Sequence, residues 1–519
     1  MTNRLAQLTL AACLIPHFAA PALAQSAAYK PSVEIVAGAP AAQARAGRLL
    51  LIAQKVAPKD AKAPDAIEAN AFAETLNFVA AREVGGLSEG TRLAFYPGDL
   101  ASPTPIDQLP AGEYWVQAVL DVDHSYAYSM RGAGDVVSTV ARLTLPLAPG
   151  QAPAQLTLDK VVPALGPWQL YPGMPPFKPA DQQALEARIK RIDFVSPALT
   201  RFMGQPVAMR GYVLTPEDYD ASNGRYPVVY FTHGYQAGMR SLLDSAIGIL
   251  KGMHDGRMPP MIWVLLDQST VTGTHEFADS PNNGPWATAL TSELLPEIDR
   301  TYRTDPAARF LMGHSSGGWA ALWLQTAYPK LFQGAWASSP DYTDFSDYGG
   351  VDLTRDGARI KDLARPRMEA VVGEYGGQDS SFEWVFSPRG PDGRPLPLYD
   401  RHTGLVDRTV AAHWVANWDL SRIVRQRWPQ LRADLDGKFH VFVGENDQFG
   451  LQHAARRFEA VFKAVGGKAD FTYLAGKNHF DLYAEGKERM ALRRKIAWQM
   501  WRVARPQSPL SDPGPLPAN

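Results

Sequence analysis

The amino-acid sequence predicts an α/β protein, in which a mostly parallel β-sheet carries helices on both faces and follows a small β-sandwich domain. Three features lead to this prediction. Residues 25–165 consist of short β-like runs separated by turn residues. In residues 188–505, apolar strand-like runs alternate with helix-like segments, as in a parallel sheet covered on both faces. Residues 166–187, between these two regions, are rich in proline and form a candidate for a stiff linker.

The composition is that of a large globular protein with many turns. A chain of 519 residues has room for two or three domains. Hydrophobic residues make up 45% of the chain, and 52 Lys and Arg residues nearly balance 53 Asp and Glu residues. This balance excludes global disorder and gives no sign of a nucleic-acid-binding surface. The 43 Gly and 42 Pro residues favour turns and long loops over a helical bundle.

Residues 1–24 have the pattern of a cleaved secretory signal. Arg4 precedes an apolar stretch at residues 5–15, and Ala22-Leu23-Ala24 forms a small-x-small cleavage site. Pro16 and Pro21 interrupt a run that is already shorter than the roughly 20 residues of a membrane-spanning helix. The sequence therefore predicts a periplasmic or secreted protein.

Cys13 is the only cysteine of the chain. Leu10-Ala11-Ala12-Cys13 also resembles a lipoprotein signal box, so lipidation at Cys13 is the alternative, and the only basis for predicting a membrane contact. Cleavage after Ala24 would leave a mature chain without a thiol, which excludes disulfides and thiolate metal sites.

The expected β-sandwich domain at residues 25–165 carries no recognisable catalytic constellation. Its predicted strands lie at residues 48–53, 93–96, 114–120, 141–147 and 155–162. We interpret it as an accessory module for packing or for presenting the substrate. Glycan binding is the alternative, because Tyr114, Trp115, Tyr126 and Tyr128 could provide stacking faces.

The second domain, at residues 188–505, contains the strands expected of a parallel sheet. They are predicted at residues 207–214, 228–232, 261–266, 310–312, 334–337, 441–443 and 471–474. Residues 506–519 contain five prolines and are predicted to be a disordered tail.

The motif Gly313-His314-Ser315-Ser316-Gly317-Gly318 carries the clearest chemical signal. It follows an apolar strand and precedes an apolar helix, so its G-x-S-x-G pattern lies in a strand–turn–helix context. A sharp turn presents the serine hydroxyl there, and glycines flank it because larger side chains would clash. Ser315 is therefore the predicted nucleophile.

A serine hydroxyl needs a base to accept its proton and an acid to orient that base. We predict His479 as the base, because it lies in a loop after the last strand and before the terminal helix. Asp447 is the predicted acid, since it follows the apolar strand predicted at residues 441–443, and Glu445 in the same loop is the reserve.

The negative oxygen of a tetrahedral intermediate needs two preorganised backbone donors. One is predicted to be the amide of Ser316, directly after the nucleophile. The other is predicted to be the amide of Tyr235, in the loop that follows residues 228–232, with the amide of Gly234 as the alternative.

At these residues the chain resembles the α/β-hydrolase group of serine esterases that includes esterase D and the enterochelin esterases. The similarity covers about residues 188–501 and rests on ordered segments: Tyr226-Pro227-Val228 leading to His233-Gly234, Glu293-Leu294-Leu295-Pro296-Glu297-Ile298-Asp299, the turn at Ser315, Gly444 with Asp447, and His479. The resemblance implies an α/β-hydrolase fold, a Ser315–Asp447–His479 triad and an acyl-enzyme mechanism without a cofactor.

Residues 340–437 form an insertion that a compact hydrolase would not need. We expect a lid there, with Trp384, Trp414 and Trp418 binding the substrate. Its arginines could favour an aromatic, glycosidic or carboxylate-bearing substrate; they are Arg355, Arg359, Arg365, Arg367, Arg389, Arg394, Arg401 and Arg408. The alternative is an insertion with its own small core and solvent-facing arginines.

The sequence thus predicts a cofactor-independent serine esterase that acts on a small-molecule ester, which could be aromatic, glycosidic or siderophore-like. An acyltransferase or a peptidase with the same triad is the alternative, and a non-catalytic binding protein is disfavoured because every triad position is filled. No metal is expected, because Asp341, Asp344, Asp347, Asp352 and Asp356 lack the spacing of a calcium loop.

Overall fold

The structure is a computed structural model that describes residues 29–57, 62–72, 77–148, 150–166, 168–171 and 173–516. The predicted signal at residues 1–24, with Cys13, lies outside the described residues. In the part that is described, no helix is both long and apolar enough to cross a membrane.

The N-terminal part of the chain folds into two β-sheets. Its elements are β1 (Val33–Ala37), α1 (Ala39–Ala44), β2 (Gly47–Lys55), β3 (Phe78–Val84), β4 (Arg92–Ala94), β5 (Leu100–Ser102), β6 (Gly112–Asp121), α2 (Tyr126–Ser129), β7 (Val136–Val137), β8 (Ala141–Leu145), β9 (Ala154–Leu158) and β10 (Lys160–Val161). A three-stranded sheet has the order β4-β1-β9. A seven-stranded sheet has the order β10-β7-β6-β2-β3-β5, with β8 also paired to β6.

The main part of the chain is built around an eight-stranded sheet. The strands that follow β10 are β11 (Ile189–Val195), β12 (Ala208–Leu214), β13 (Tyr226–Thr232), β14 (Ile262–Leu266), β15 (Ser269–Thr270), β16 (Gly273–Thr274), β17 (Asp279–Ser280), β18 (Gly284–Pro285), β19 (Thr304–His314), β20 (Ala335–Ser338), β21 (Phe439–Gly444) and β22 (Asp470–Leu474). The large sheet has the order β11-β12-β14-β13-β19-β20-β21-β22. From β14 to β22 all neighbours are parallel, whereas β11 and β12 pair antiparallel.

Helices cover both faces of this sheet. They are α3 (Pro179–Arg188), α4 (Pro197–Met203), α5 (Met239–His254), α6 (Trp286–Ala289), α7 (Leu295–Thr301), α8 (Ser316–Ala327), α9 (Ala364–Val372), α10 (Gln378–Phe386), α11 (Arg408–Asn417), α12 (Leu420–Leu435), α13 (Leu451–Ala464) and α14 (Ala491–Ala504). Side chains alternate between the faces of a strand, so Val228 and Tyr230 enter one core and Val229 and Phe231 the other. A strand buried on both faces is therefore apolar throughout, as β13 is.

The two parts of the chain pack directly on each other. In β2, Leu49 and Leu51 face the core that the N-terminal sheets share, whereas Leu50 and Ile52 face a second core that contains Met368 of α9. Arg48 is buried and donates through Nε to the Val371 carbonyl of α9 at 2.9 Å. The seven-stranded sheet is thus held against residues 340–437.

The structure differs from the sequence prediction at both ends of the main domain. Helix α3 (Pro179–Arg188) begins within the predicted linker, and strand β11 (Ile189–Val195) begins just after it. The sequence does not predict β11, because polar residues interrupt its apolar pattern. Residues 506–516, predicted to be disordered, pack on the domain. Asp512 accepts a hydrogen bond from Arg494, and Arg257 donates to the Gly514 carbonyl at 2.8 Å.

Candidate active site

Parallel strands bring their carboxyl ends to one edge of the sheet, and the loops after β13, β19, β20, β21 and β22 meet there. Ser315 lies in the turn between β19 and α8, with a backbone φ of 57° and ψ of −123°. A non-glycine residue rarely adopts positive φ, so this turn is a strained one. A Cβ on Gly317 would lie 2.5 Å from the carbonyl oxygens of Thr232 and His233, which explains the glycine there.

Asp447 and His479 form a buried pair next to this turn. Asp447 Oδ2 lies 2.8 Å from His479 Nδ1, and their side chains are 0% and 4% exposed. The other carboxylate oxygen of Asp447 accepts a hydrogen bond from the Phe449 amide at 3.0 Å, which fixes the carboxylate in the loop after β21. Nδ1 is therefore occupied, and Nε2 is the ring nitrogen left for proton transfer.

Glu445, the reserve acid, lies elsewhere. Its side chain is 44% exposed, and the nearest Arg456 nitrogen is 3.6 Å from its carboxylate. The structure brings Asp447, and not Glu445, to His479.

The hydroxyl of Ser315 contacts a third acid, Asp341, which follows β20. Ser315 Oγ donates to Asp341 Oδ1 at 3.3 Å, and Ser316 Oγ donates to Asp341 Oδ2 at 2.6 Å. Burial raises the pKa of Asp341 to about 6, against the opposing effects of the Ser316 hydrogen bond and the charge of His479. The sequence analysis names Asp341 only among five acids that lack the spacing of a calcium loop. Its position directly after a parallel strand is the sequence feature that indicates a place in the active site.

The two predicted backbone donors, the amides of Ser316 and Tyr235, belong to segments that adjoin the nucleophile. Gly234 approaches Ser315 so closely that a Cβ on it would lie 2.9 Å from the Ser315 Cβ. The next amide, that of Tyr235, therefore belongs to a loop in direct contact with the serine. Within the described residues, neither this amide nor that of Ser316 at the start of α8 donates to a protein acceptor, so both are free to bind an oxygen of a ligand.

Ser315 and His479 open into a cavity of about 280 Å³. Its wall is largely aromatic, from Phe72, Tyr235, Tyr342, Tyr348, Phe382, Phe449 and Phe480. Its polar groups are Asn70, Gln236, Asp341, Arg365, Gln378 and Asp379. Arg365 pairs with Glu369 at 2.9 Å and with Asp379 at 3.0 Å, so neighbouring carboxylates already balance its charge.

The predicted substrate-binding tryptophans do not line this cavity, and this corrects the sequence prediction. Trp414 is fully buried and donates to Ser387 Oγ at 2.9 Å, and Trp418 packs against Trp323 at 4.9 Å between ring centroids. Trp384 contacts the edge of Tyr375. The three side chains pack within or against the insertion. The same segment reaches the cavity through Tyr342, Tyr348, Arg365, Gln378, Asp379 and Phe382 instead.

The N-terminal part of the chain also reaches the cavity, which the sequence did not indicate. Phe72 lies edge-on to Tyr235 and Phe449, with centroid distances of 5.9 and 5.7 Å. Its loop is tied to the seven-stranded sheet, because the Ile67 amide donates to Gln117 Oε1 of β6 at 3.1 Å. Tyr235 in turn donates to the Ala127 carbonyl at 3.3 Å.

One group of acids in the described part of the chain is close enough to share a metal ion. Ligand atoms of Asp121, Asp123 and Asp135 lie within 4.8 Å of one another. None of the three lines the cavity.

The chain is similar in sequence to known esterases. The model of the family described as "Putative esterase" matches residues 204–502. Esterase MT1326 and Esterase Rv1288, from two strains of Mycobacterium tuberculosis, are 30% identical to this chain over 169 residues, which are 32% of the chain and 34% of each relative. The match thus spans about a third of the length of these curated relatives.

Solved structures with low sequence identity are also similar. One is a ferulic acid esterase, with a TM-score of 0.42 and 16% identity over 61% of this chain and 98% of that chain. Another is an S-formylglutathione hydrolase from Agrobacterium tumefaciens, with a TM-score of 0.35 and 15% identity over 61% of this chain and 95% of that chain.

The strand order of the large sheet, with a serine in the turn after β19, defines an α/β-hydrolase. Because the family model covers more than half of the chain, the protein belongs to the esterase family that this model describes.

Proposed function

We propose that the protein is a serine esterase that hydrolyses carboxylic esters through an acyl-enzyme, with Ser315 as nucleophile, His479 as base and Asp447 as acid. The observation that carries the proposal is the buried Asp447–His479 pair, with its 2.8 Å contact, in the same cavity as the strained Ser315. It supports a serine–histidine–acid triad, in which the acid orients the imidazole and the imidazole accepts the serine proton.

The reaction follows from these positions. The Ser315 oxygen attacks the ester carbonyl, and the amides of Ser316 and Tyr235 bind the oxygen that becomes negative. His479 then gives its proton to the leaving alcohol. Water next attacks the acyl-enzyme with His479 again as base, which releases the acid and restores Ser315.

The aromatic wall supports a substrate with an apolar, ring-sized group. A cavity of about 280 Å³ with seven aromatic side chains gains affinity from the burial of such a group. A substrate with a free carboxylate is disfavoured, because Asp341 and Asp379 line the cavity and the charge of Arg365 is already balanced. The cavity therefore does not support selection of a carboxylate by the arginines of the insertion, which the sequence suggested.

For the N-terminal domain we propose a β-sandwich that acts as an accessory module and supplies one wall of the cavity through Phe72. For localisation we propose export to the periplasm or the medium, with cleavage after Ala24. N-terminal sequencing of the protein from each cell fraction tests this, and an uncleaved protein in the cytoplasmic fraction would contradict it.

Replacement of Ser315 by Ala tests the proposed chemistry. Ester turnover should fall by about a thousandfold or more, because the attacking oxygen is lost while binding persists. A fluorophosphonate should label Ser315 in the wild type and leave Ser315→Ala unlabelled. Activity of this variant within about tenfold of the wild type, or labelling of another serine instead, would refute the assignment.

A further inference from the structure

A carboxylate that the triad does not use lies against the nucleophile. The chain leaves β20 at Ser338, and Ser339 adopts a positive φ of 38° that turns the chain back to the active site. The Asp341 amide then donates to the Ser315 carbonyl at 3.3 Å. The position of Asp341 is thus set by the backbone as well as by its side chain.

The carboxylate of Asp341 holds both serines of the turn. It accepts the hydroxyl of Ser316 at 2.6 Å and that of Ser315 at 3.3 Å. Among the described residues, Asp341, and not His479, is the hydrogen-bond partner of the Ser315 hydroxyl. Asp341 is 7% exposed, and it lines the cavity together with Ser315 and His479.

Several ionisable groups lie around Asp341. Burial and the charge of Asp341 raise the pKa of Glu276 well above its usual value. Burial holds the pKa of His314, whose ring is 4.6 Å from that of His479, well below its usual value. The charge of Asp447 raises the pKa of Asp341, and the paired Arg365 and Asp379 line the same cavity.

We propose that Asp341 is a further catalytic residue of this esterase, whose carboxylate holds and orients the hydroxyl of Ser315 in the resting enzyme. The inference rests on the proposed function, since it requires Ser315 as nucleophile and His479 as base.

No proton passes to Asp341 when Ser315 attacks the ester. The Ser315 hydroxyl turns from Asp341 towards His479, its O–H bond breaks, and the proton goes to Nε2. The serine oxygen forms a bond to the ester carbon while the carbonyl π electrons move to the oxygen held by the amides. Asp341 releases the hydroxyl and stays ionised throughout.

The test is Asp341→Asn, with Asp344→Asn as the matched control. Asp344 lies three residues on, is 5% exposed and caps its own turn through the Ser346 amide at 3.0 Å. Both variants lose one buried charge from one loop, but Asp344 does not line the cavity. kcat/KM for a short-chain ester is measured from about pH 5 to pH 9, together with the thermal midpoint of each variant.

We expect Asp341→Asn to lower kcat/KM above pH 7 by about tenfold or more, which corresponds to about 1.4 kcal/mol of transition-state stabilisation. The part of the acid limb that protonation of Asp341 causes near pH 6 should be absent from its profile, because the amide of the variant does not titrate. Asp344→Asn should keep the wild-type profile, and Asp341→Glu should keep its acid limb.

A second variant, Ser316→Ala, tests the proposal if Asp341→Asn folds poorly. Ser316→Ala removes the hydrogen bond that lowers the pKa of Asp341, so the anion is lost at higher pH and activity should fall off at higher pH than in the wild type. An unchanged profile for Ser316→Ala, or a profile and rate for Asp341→Asn equal to those of Asp344→Asn, would overturn the proposal. If Ser315→Ala is inactive in these cases, the inference fails alone; if Ser315→Ala is active, the proposed function fails as well.

Discussion

Asp447→Asn tests how the acid orients His479. The two oxygens of Asp447 have separate partners, the Phe449 amide at 3.0 Å and His479 Nδ1 at 2.8 Å. In the variant, the amide oxygen should stay on the Phe449 amide, because only an acceptor fits there. The amide NH₂ then faces Nδ1 and forces the imidazole proton onto Nε2, the nitrogen that must accept the Ser315 proton.

The expected loss in kcat/KM is up to about ten-thousandfold, the size found where a buried triad acid is replaced by its amide. This corresponds to about 5.4 kcal/mol at roughly 1.36 kcal/mol per tenfold change. The large value is expected because the Asp447 side chain is 0% exposed, so water cannot replace the lost interaction.

Glu445→Gln is the matched control, because it makes the same change two residues away. Glu445 is 44% exposed and pairs loosely with Arg456 at 3.6 Å, an interaction worth at most about 1 kcal/mol. Its kcat/KM should stay within about threefold of the wild type, since it contributes nothing to the orientation of His479. Both variants are compared by ester hydrolysis and thermal midpoint. The reverse ranking would move the acid role to Glu445, and a mild loss in both would show that His479 acts without help from an acid.

Two further predictions concern the cavity wall and the insertion. Phe72→Ala should lower kcat/KM for a bulky aromatic ester by about tenfold and spare acetate esters, because a buried ring contact contributes roughly 1–2 kcal/mol that a small substrate does not use. The control is Tyr96→Ala, in the same domain but outside the cavity. An equal loss for both substrates would contradict a role of Phe72 in substrate selection. Trp414→Ala should destabilise the protein by about 3–5 kcal/mol, because the side chain is fully buried, and should leave the ratio of kcat/KM for the bulky ester to that for the acetate ester unchanged. Thermal unfolding and the two substrate assays check this. A changed ratio at wild-type stability would show that Trp414 contributes to the substrate site.

The sequence predicted the parts of the fold whose pattern is local. Strands such as β13 (Tyr226–Thr232) are apolar throughout because both faces are buried, and that signal does not depend on distant residues. Strand β11 (Ile189–Val195) lies at the edge of the sheet, where solvent reaches it and polar residues such as Lys190 and Asp193 are tolerated. An edge strand of this kind cannot be separated from a loop by composition alone.

The same distinction applies to the site. The sequence was sufficient to place Ser315, Asp447 and His479 at one edge of the sheet, because each follows a recognisable strand and parallel strands bring their carboxyl ends together. The cavity wall could not be predicted, because Phe72 reaches Tyr235 only through packing between two distant parts of the chain. The tryptophans of the insertion were misassigned because aromatic residues suit a substrate pocket and a buried core equally well, and only the fold decides between them.

The wall of the cavity and the charges within it depend on each other. Aromatic side chains from the N-terminal part, such as Phe72, and from the insertion, such as Tyr342, cover an edge of the sheet that water would otherwise reach. Removal of water strengthens charge interactions, since the effective dielectric constant falls. It also makes an ionised carboxyl harder to maintain, which is why burial raises the pKa of Asp341 to about 6. The residues that shape the space for a substrate therefore also set the electrostatic environment of Ser315 and His479, so a change in the wall should affect the chemistry as well as the binding.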